Sequence, residues 1–475
     1  MVAGTIAAML QPPNPPAEVF DARAARLTGT VRRLVRRGAR RSISRLLARM
    51  RPEDVGMMLD VLTPAEQVEV FRVAVEEHRD AAGEVLLSME PARMVNLVSR
   101  LDPAQIADVL HPMAVDDAVG LVEMLPEEDR QPVLELLDKR GGDDLHLQLH
   151  YAEDTAGRIM NTEYFSLPEE TTVEEAIARI QTSGNLEMVF YLYVTDPEGG
   201  LVGVTSLRQL ILARPEARLG EIAERSVIMV STETDQEEVA RLASRYDLLA
   251  IPVVDEIGRL VGIVTVDDVI DVLQDEADED FYRMVGTSED ELLYRERSWR
   301  VARIRLPWLL INLTGLYLTG LIFKYFETTL QELLILVFFA PVIMGMGGNI
   351  GAQTSTIAVR GLATGRLAQG QGRVRAFLGQ QIRVGALLGL VCAPIAGVGV
   401  WVLQQSWVLV AVVSFSLFVA IFLASVNGSV VPLMFQRFGI DPAVAAGPMV
   451  TTTSDMVGIA VYFAVAAAMI RNFVI

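Results

Sequence analysis

The run "PMVTTTSDMVGIAVYFAVAAAMI", residues 448–470, is almost wholly apolar and long enough to cross a bilayer, yet it holds one carboxylate, Asp455. A charge at the centre of a membrane helix costs about 2.5–3.5 kcal/mol on insertion scales. Packing alone does not need a carboxylate, and the interiors of the neighbouring apolar runs bring no lysine or arginine to neutralise it. The chemistry such a group suits is the binding of a cation on its way through the membrane. A second set of carboxylates lies upstream, in "VDDVIDVLQDEADEDFYRMVGTSEDE", residues 266–291. It contains Asp267, Asp268, Asp271, Asp275, Glu276, Asp278, Glu279, Asp280, Glu289, Asp290 and Glu291 against the single base Arg283. Asp268, Asp271, Asp275, Glu276 and Glu279 fall near one face of a helix. Two carboxylates about 5 Å apart repel by roughly 3 kcal/mol at an effective dielectric of about 20. A divalent cation between helices would turn that repulsion into a clamp, and oxygen ligands suit Mg²⁺ or Ca²⁺. The competing reading is a solvated acidic helix, which a charge run usually is. With four histidines and one cysteine, Cys392, nothing points to zinc or copper, and no disulfide can form within the chain.

The elements that must position these groups divide the 475 residues into two halves. Up to about residue 300 the chain is charged; beyond it come long apolar runs. The net charge of −19 belongs mainly to the first half and argues against nucleic acid as a partner. Five spans are expected, near residues 304–325, 333–359, 382–403, 407–435 and 443–470, each close to or above the ~20 residues a bilayer core requires. Basic residues orient them. Arg295, Arg297, Arg300, Arg303 and Arg305 crowd the start of the first span. Arg360, Arg366, Arg373, Arg375 and Arg383 are placed in the loop between the second and third, and Arg437 lies between the fourth and fifth. "QQSW" has no charge and "KYFETTLQE" one base against two acids. The N-terminus is therefore expected in the cytosol and the C-terminus outside, with Arg471 running against the trend. "MVAGTIAAMLQPPNPP" lacks the basic start of a cleavable signal peptide.

Two spans depart from lipid-facing helices. The second holds "PVIMGMGGNIGAQTSTIAVRG", whose Pro341 and glycines either loosen the helix or allow close packing. Irregular backbone at membrane depth is tolerated only against protein or a water-filled cavity. Gly348, Asn349, Gly351 and Gln353 on this span are candidates to line a path with Asp455, as are Thr451, Thr452, Ser454 and Gly458 on the fifth. For the glycines and threonines alone, helix packing is the favoured reading, as it is for Asn427 in span four.

In the soluble half, "RPED", "TPAEQ", "EPAR", "DPAQ" and "LPEED" recur between residues 45 and 140. Each puts proline where a first helical turn tolerates it, with acids or amides close behind. The spacing predicts a small superhelical array of short helices. Before it, "RLTGTVRRLVRRGARRSISRLLARM" is basic: a solvated helix, or a contact for anionic lipid or an acidic partner. Residues 152–273 hold an internal repeat, "VTDPEGGLVGVTSLRQLI" matching "VVDEIGRLVGIVTVDDVI" at an offset of 59. Each copy reads helix, strand, turn, strand, helix. The repeat resembles a tandem pair of cystathionine-β-synthase-type (CBS) modules, which often bind adenine nucleotides. The family's ribose signature, a threonine followed by an acid three residues on, survives as Thr265 and Asp268; in the first copy Gln209 replaces the acid, so one nucleotide site is expected.

The order of parts, with "YAEDTAGRIM", "RLVGIVTVDDVIDVL", "GGNIGAQTSTIAVRGLATG" and "TTTSDMVG", resembles the MgtE family of magnesium channels over residues 45–475. The resemblance implies a multidomain chain. After a basic extension (1–44) come an acidic α-helical domain (45–150), two α/β CBS modules (151–215, 216–273), a connecting helix (274–301) and a five-helix membrane domain (302–475). It implies a homodimer in the plasma membrane whose pore, lined by spans two and five, presents two copies of Asp455 to Mg²⁺. It implies closure by cytosolic Mg²⁺ at Asp247, Asp268, Asp271, Glu276 and Glu279, with Asp116 and Asp117 as candidates on the helical domain. ATP at the CBS modules is also implied. No GxxxxGK[ST] motif appears, so Mg²⁺ should enter the cytosol down its electrochemical gradient, and no catalytic constellation points to an enzyme. A CBS-regulated transporter of another substrate would predict basic residues along the path. A non-conducting membrane sensor of Mg²⁺ or nucleotide would predict lipid-like spans.

Overall fold

A computed structural model describes residues 28–125, 127–138, 143–182, 190–288, 298–367 and 371–473. All of residues 1–27, Glu289, Asp290, Glu291, Arg295, Arg297, Pro126 and the side chains of Arg300 and Arg471 lie outside the described residues. The chain divides into two compact units, Met1–Leu273 and Gln274–Ile475.

The first unit opens with short helices: α1 (residues 28–36), α2 (Arg40–Leu47), α3 (Pro52–Asp60), α4 (Pro64–Glu77), α5 (Arg79–Leu87), α6 (Pro91–Val98), α7 (Pro103–Leu110), α8 (Val115–Met124), α9 (Glu127–Asp138) and α10 (Asp143–Leu149). Proline occupies the first turn of α3, α4, α6 and α7, where its missing N–H is not needed. Thr63 with Glu66 and Asp102 with Gln105 close reciprocal capping boxes at α4 and α7. The buried faces meet in one core containing Leu59, Val70, Phe71, Leu97 and Val122. This core also takes Val31 of α1 and Ile43 and Leu47 of α2. The expected boundary at residue 45 is therefore too late. Gly38, with φ +61°, turns the chain between these two helices, and their apolar faces complete the helical domain.

The repeat forms two three-stranded sheets. After α11 (Ala156–Ile159), the first copy has β1 (Ser166–Pro168), α12 (Val173–Thr182), β2 (Tyr191–Thr195), β3 (Leu201–Ser206) and α13 (Leu207–Leu212). After α14 (Leu219–Ile222), the second has β4 (Val230–Ser231), α15 (Gln236–Tyr246), β5 (Ala250–Val254), β6 (Leu260–Thr265) and α16 (Val266–Val285). In both sheets the first pair is parallel and the second antiparallel. Tyr191 faces Ser206 as Ala250 faces Thr265, which reproduces the sequence offset as register. The hairpins turn at Gly199 and Gly258, both at positive φ. They exchange bonds reciprocally: Leu201 N donates to Gly258 O and Leu260 N to Gly199 O, each at 3.1 Å. Buried Gln148 ties α10 to this domain by donating to the carbonyls of Arg158 (2.8 Å) and Met160 (2.6 Å).

The acidic helix α16 starts at Val266, inside the second copy, where the end of β6 caps its first turn, and runs on through the division between the two units at Leu273 and Gln274. In the second unit five helices are long and apolar enough to cross a membrane, as expected. They are α17 (Ser298–Tyr325), α19 (Ala340–Ala363), α20 (Gln371–Gln404), α21 (Trp407–Arg437) and α23 (Pro448–Phe473), with α18 (Glu327–Glu332) and α22 (Pro442–Ala446) as short connectors. Three details differ from the sequence reading. Span two is an unbroken helix through "GMGGNIG", preceded by a 3₁₀ turn at Leu334–Phe338; its glycines serve packing. Span five does not run on from residue 443, because Gly447 separates α22 from α23. Arg373, Arg375 and Arg383 belong to α20 rather than to a loop, the first two in its opening turns, and Arg360 belongs to the last turn of α19. Helix α21 lies against α19, α20 and α23, while α17 packs on α23. The contacts run through small residues: a Cβ on Gly385 would meet Ser425 at 2.7 Å, and one on Gly389 would meet Phe418 at 2.9 Å.

Candidate functional site

Asp455 sits on α23 where α19 comes close. A Cβ added to Gly348 would stand 2.9 Å from Asp455 Oδ1, and one added to Gly351 would stand 2.7 Å from Ser454 Oγ. Glycine at these two positions lets the helix backbones approach as near as they do. Asn427 of α21 donates to Thr453 Oγ1 (2.9 Å) and to Ser454 Oγ (3.0 Å), fixing the turn that carries the carboxylate. Asp455 Oδ1 is buried without a hydrogen-bond partner. A buried acceptor left unpaired costs about 1–3 kcal/mol, more when charged, so this oxygen faces a strong demand for a cation or water.

The other candidates separate into groups. Asn349 and Gln353, four residues apart on α19, are exposed in the single chain, as are Gly345 and Thr356 on the same stripe. Amide groups on a membrane helix need a polar counterpart, either water in a cavity or another helix. Thr452 instead serves packing: its hydroxyl donates to Asn312 Oδ1 of α17 (3.0 Å), and its methyl presses on Gly315. Gly458 is packed against Ala420 and Ile343, and Thr451 donates to its own helix at Pro448 O (3.1 Å). Asn427, read from sequence as a packing amide, ties α21 to α23 at the two residues before Asp455.

The soluble carboxylates fall into two places. In the first unit, Asp116 and Asp117 open α8 and act on Asp268 of α16. Burial, then the charges of Asp268 and Asp117, push Asp116 up to about 7. Burial raises Asp268 to about 6 despite a hydrogen bond from Thr265, with Asp267 and Asp117 adding to the rise. Asp271 is raised by burial and by Asp267. Asp116 Oδ1 is buried without a partner. Asp247 stands apart, exposed, as the left-handed C-cap of α15 at φ +53°, a conformation aspartate tolerates better than most residues. Among the described residues no three His, Cys, Asp or Glu side chains converge as a ready metal cage.

The nucleotide signature is engaged structurally. Asp268 Oδ2 accepts from the Thr265 amide (3.2 Å) and from its hydroxyl, capping α16. Ser206 and Gln209 make the equivalent box at α13, with Ser206 N donating to Gln209 Oε1 at 2.9 Å. A Thr/Ser-x-x-Asp/Gln pattern at this place is thus explained by capping in both copies.

In the second unit lies a cluster that sequence reasoning missed. Arg283 near the end of α16 bonds to Asp441 and to Glu279. Asp441 also caps α22 by accepting from Ala443 N at 2.8 Å. Burial, then Asp441 and Glu276, push Asp280 up to about 6 against the pull of Arg283 and Arg360. Met284 packs on Val359, Ala443 and Ala446, and the Gly447 backbone lies directly against the Met284 carbonyl. The end of the acidic helix is therefore seated on the segment that leads into α23, eight residues before Asp455. The signal available in sequence was the "DPAVAAGP" stretch, an N-cap followed by a helix that ends at Gly-Pro.

Comparison with known proteins places this arrangement. A family model for MgtE, described as a divalent cation transporter, matches residues 340–465. The MgtE intracellular N domain matches 50–154, and the CBS domain matches 156–216 and 219–275. A magnesium transporter MgtE of Thermus thermophilus is 36% identical over 94% of this chain and 99% of its own length. A magnesium transporter MgtE of Bacillus subtilis is 32% identical over 88% of this chain and 94% of its own. Among solved structures, the soluble part of a magnesium transporter covers 54% of this chain and 99% of its own at 30% identity, with a TM-score of 0.49. The cytosolic domain of the Mg²⁺ channel MgtE in complex with ATP covers 52% and 99% at 36% identity, with a TM-score of 0.48. With the family models and the two bacterial relatives spanning helical domain, CBS repeat and membrane helices, the chain belongs to the MgtE family of divalent cation transporters.

Proposed function

We propose that the chain conducts Mg²⁺ into the cytosol, down its electrochemical gradient, along a path lined by α19 and α23. The observation that carries this reading is the buried, unpartnered Asp455 Oδ1 in a membrane helix, set against the glycines of α19. Mg²⁺ dehydrates reluctantly, so the ion passes largely hydrated, its waters donating to Asp455, to backbone carbonyls and to the amides of Asn349 and Gln353. A homodimer would place two Asp455 carboxylates on one path and give the exposed polar stripe of α19 a polar environment. Two carboxylates favour a dication over Na⁺ or K⁺, and the ion offsets the cost of burying them. The basic residues at the ends of α19 and α20 favour a cytosolic N-terminus and an external C-terminus.

Closure follows by mass action. Cytosolic Mg²⁺ that binds Asp116, Asp117, Asp247, Asp268, Asp271, Glu276 and Glu279 only in the closed arrangement stabilises it by RT ln(1 + [Mg²⁺]/Kd) per independent site. The raised values of Asp116 and Asp268 support this, because crowded carboxylates gain most from a shared cation. The CBS pair would take ATP at Thr265 and Asp268, competing with the capping role of that acid; calorimetry of the full chain with Thr265→Ala tests it by loss of the ATP heat.

The test of the path is Mg²⁺ uptake into proteoliposomes. Asp455→Ala abolishes flux in a protein that remains folded. Asp455→Asn keeps the shape, loses the charge and fails or loses its preference for divalent ions. Wild-type flux in Asp455→Ala removes this residue from the path.

A further inference from the structure

Residues 22–52 contain eleven arginines and no aspartate or glutamate, in a chain whose net charge is −19. From residue 28 onward this stretch is folded: α1 and α2 bury Val31, Ile43 and Leu47 in the helical core. The opposite faces carry the charge. Arg32 pairs with Glu66 at 3.4 Å and Arg40 with Glu76 at 3.3 Å. Arg33 and Arg45 donate only to their own helices, at Gly29 O and Arg41 O, both 3.2 Å. Arg36, Arg37, Arg41 and Arg49 are exposed and make no ion pair among the described residues. Arg41 and Arg45 are one helical turn apart on α2, and Arg33 and Arg36 lie three apart on α1, while Arg37 and Arg49 sit in the turns that follow the two helices. The preceding residues 1–27 offer Glu18 and Asp21 against Arg23 and Arg26, which leaves these arginines unneutralised.

We propose that the arginine face of α1 and α2 is a docking surface for the anionic headgroups of a lipid bilayer. Three features favour lipid phosphate over an acidic protein. The bases are all arginine, whose planar fork matches a phosphate with two parallel bonds. The two helices contribute no acid of their own, so they present no pattern of alternating charge for a specific protein surface to match. The apolar side chains of both helices are spent on the core, which leaves charge as the means of attachment. Each arginine near an anionic membrane surface strengthens attachment about five-fold, and the effect fades with salt.

The test uses the full chain in zwitterionic nanodiscs, mixed with separate vesicles in the presence of a chelator and floated on a density gradient. The expected result is co-flotation with vesicles containing about a third phosphatidylglycerol at low salt, and none with pure phosphatidylcholine vesicles or at 0.5 M salt. Changing Arg36, Arg37, Arg41, Arg45 and Arg49 together to Gln should lower partitioning to the phosphatidylcholine background, while the thermal unfolding of the chain and its Mg²⁺ flux stay as in the parent. Partitioning that survives the five substitutions would assign attachment to other basic residues and overturn the proposal. So would equal flotation with both lipids, or none with either. Salt-sensitive self-association without vesicles, lost in the variant, would show that the face meets an acidic protein surface and would overturn it equally.

Discussion

At the scale of single residues, the site depends on what is missing as much as on what is present. Gly348 and Gly351 have no Cβ, and that absence is what lets Asp455 and Ser454 approach α19. Gly348→Ala puts a methyl 2.9 Å from Asp455 Oδ1, closer than carbon and oxygen tolerate without movement. The helices must part, and flux should fall by at least ten-fold while the protein stays folded. Liposome uptake with a thermal-unfolding control measures both, and unchanged flux would mean the carboxylate does not work from this position. Asn427→Ala should also lower flux, through the loss of the two bonds that hold the Thr453–Ser454 turn. The carboxylate itself was legible from sequence, because a lone acid in an apolar run has few other uses. The sorting of its neighbours was not. Thr452 and Ser454 look alike on paper, yet one bonds to Asn312 and the other lies beside Gly351, since the choice depends on which helix stands next to each face.

At the scale of elements, α16 links two sets of acids. Near its start, Asp268 faces Asp116 and Asp117; near its end, Asp280, Glu279 and Arg283 meet Asp441. The folded values of Asp116 and Asp268, about 7 and about 6, lie above the ordinary carboxylate range. The folded unit therefore binds protons more tightly than the unfolded chain, and stability falls as pH rises from about 4 to about 7. Without divalent ions the full chain should unfold at lower temperature at pH 8 than at pH 5.5. Asp116→Asn should remove much of that difference, and millimolar Mg²⁺ should restore stability at pH 8. A melting temperature that rises from pH 5.5 to pH 8 would show that these acids are not crowded. At the other end, Arg283→Gln releases Asp441 and Glu279, so the end of α16 should loosen and Mg²⁺ uptake should persist at internal Mg²⁺ that closes the parent. Unchanged closure would leave the ion pair a structural fastening only. The proline-started helices of the first unit and the repeat at an offset of 59 could be read directly, because caps and period-two strands are local signals. The break at Gly447 and the helical start of α20 could not. Both are set by what the segments pack against: Met284 lies on Gly447, and α20 packs on α21 at Gly385, Gly389 and Gly397.

At the scale of the whole molecule, a unit of helical domain and CBS repeat precedes a unit with five helices long and apolar enough to cross a membrane, one of which carries Asp455. Sequence placed the helical domain, the CBS repeat and five spans in order, and the family matches agree with that order. The N-terminal boundary escaped it, because Val31 and Ile43 are too few apolar residues to stand out among arginines, although they suffice to extend the core. On the function proposed above, Mg²⁺ both passes through the chain and closes it. Purified protein in liposomes, with an imposed Mg²⁺ gradient, no nucleotide and no other ion gradient, tests this directly. Uptake should follow the gradient and stop once Mg²⁺ on the side of the soluble unit reaches millimolar levels. A variant with Asp268, Asp271, Glu276 and Glu279 changed together to their amides should keep conducting at that concentration, whereas the same concentration of charge from NaCl should not close the parent. Uptake that needs a second ion gradient, or closure that is identical in the parent, in the variant and in matched NaCl, would contradict the account.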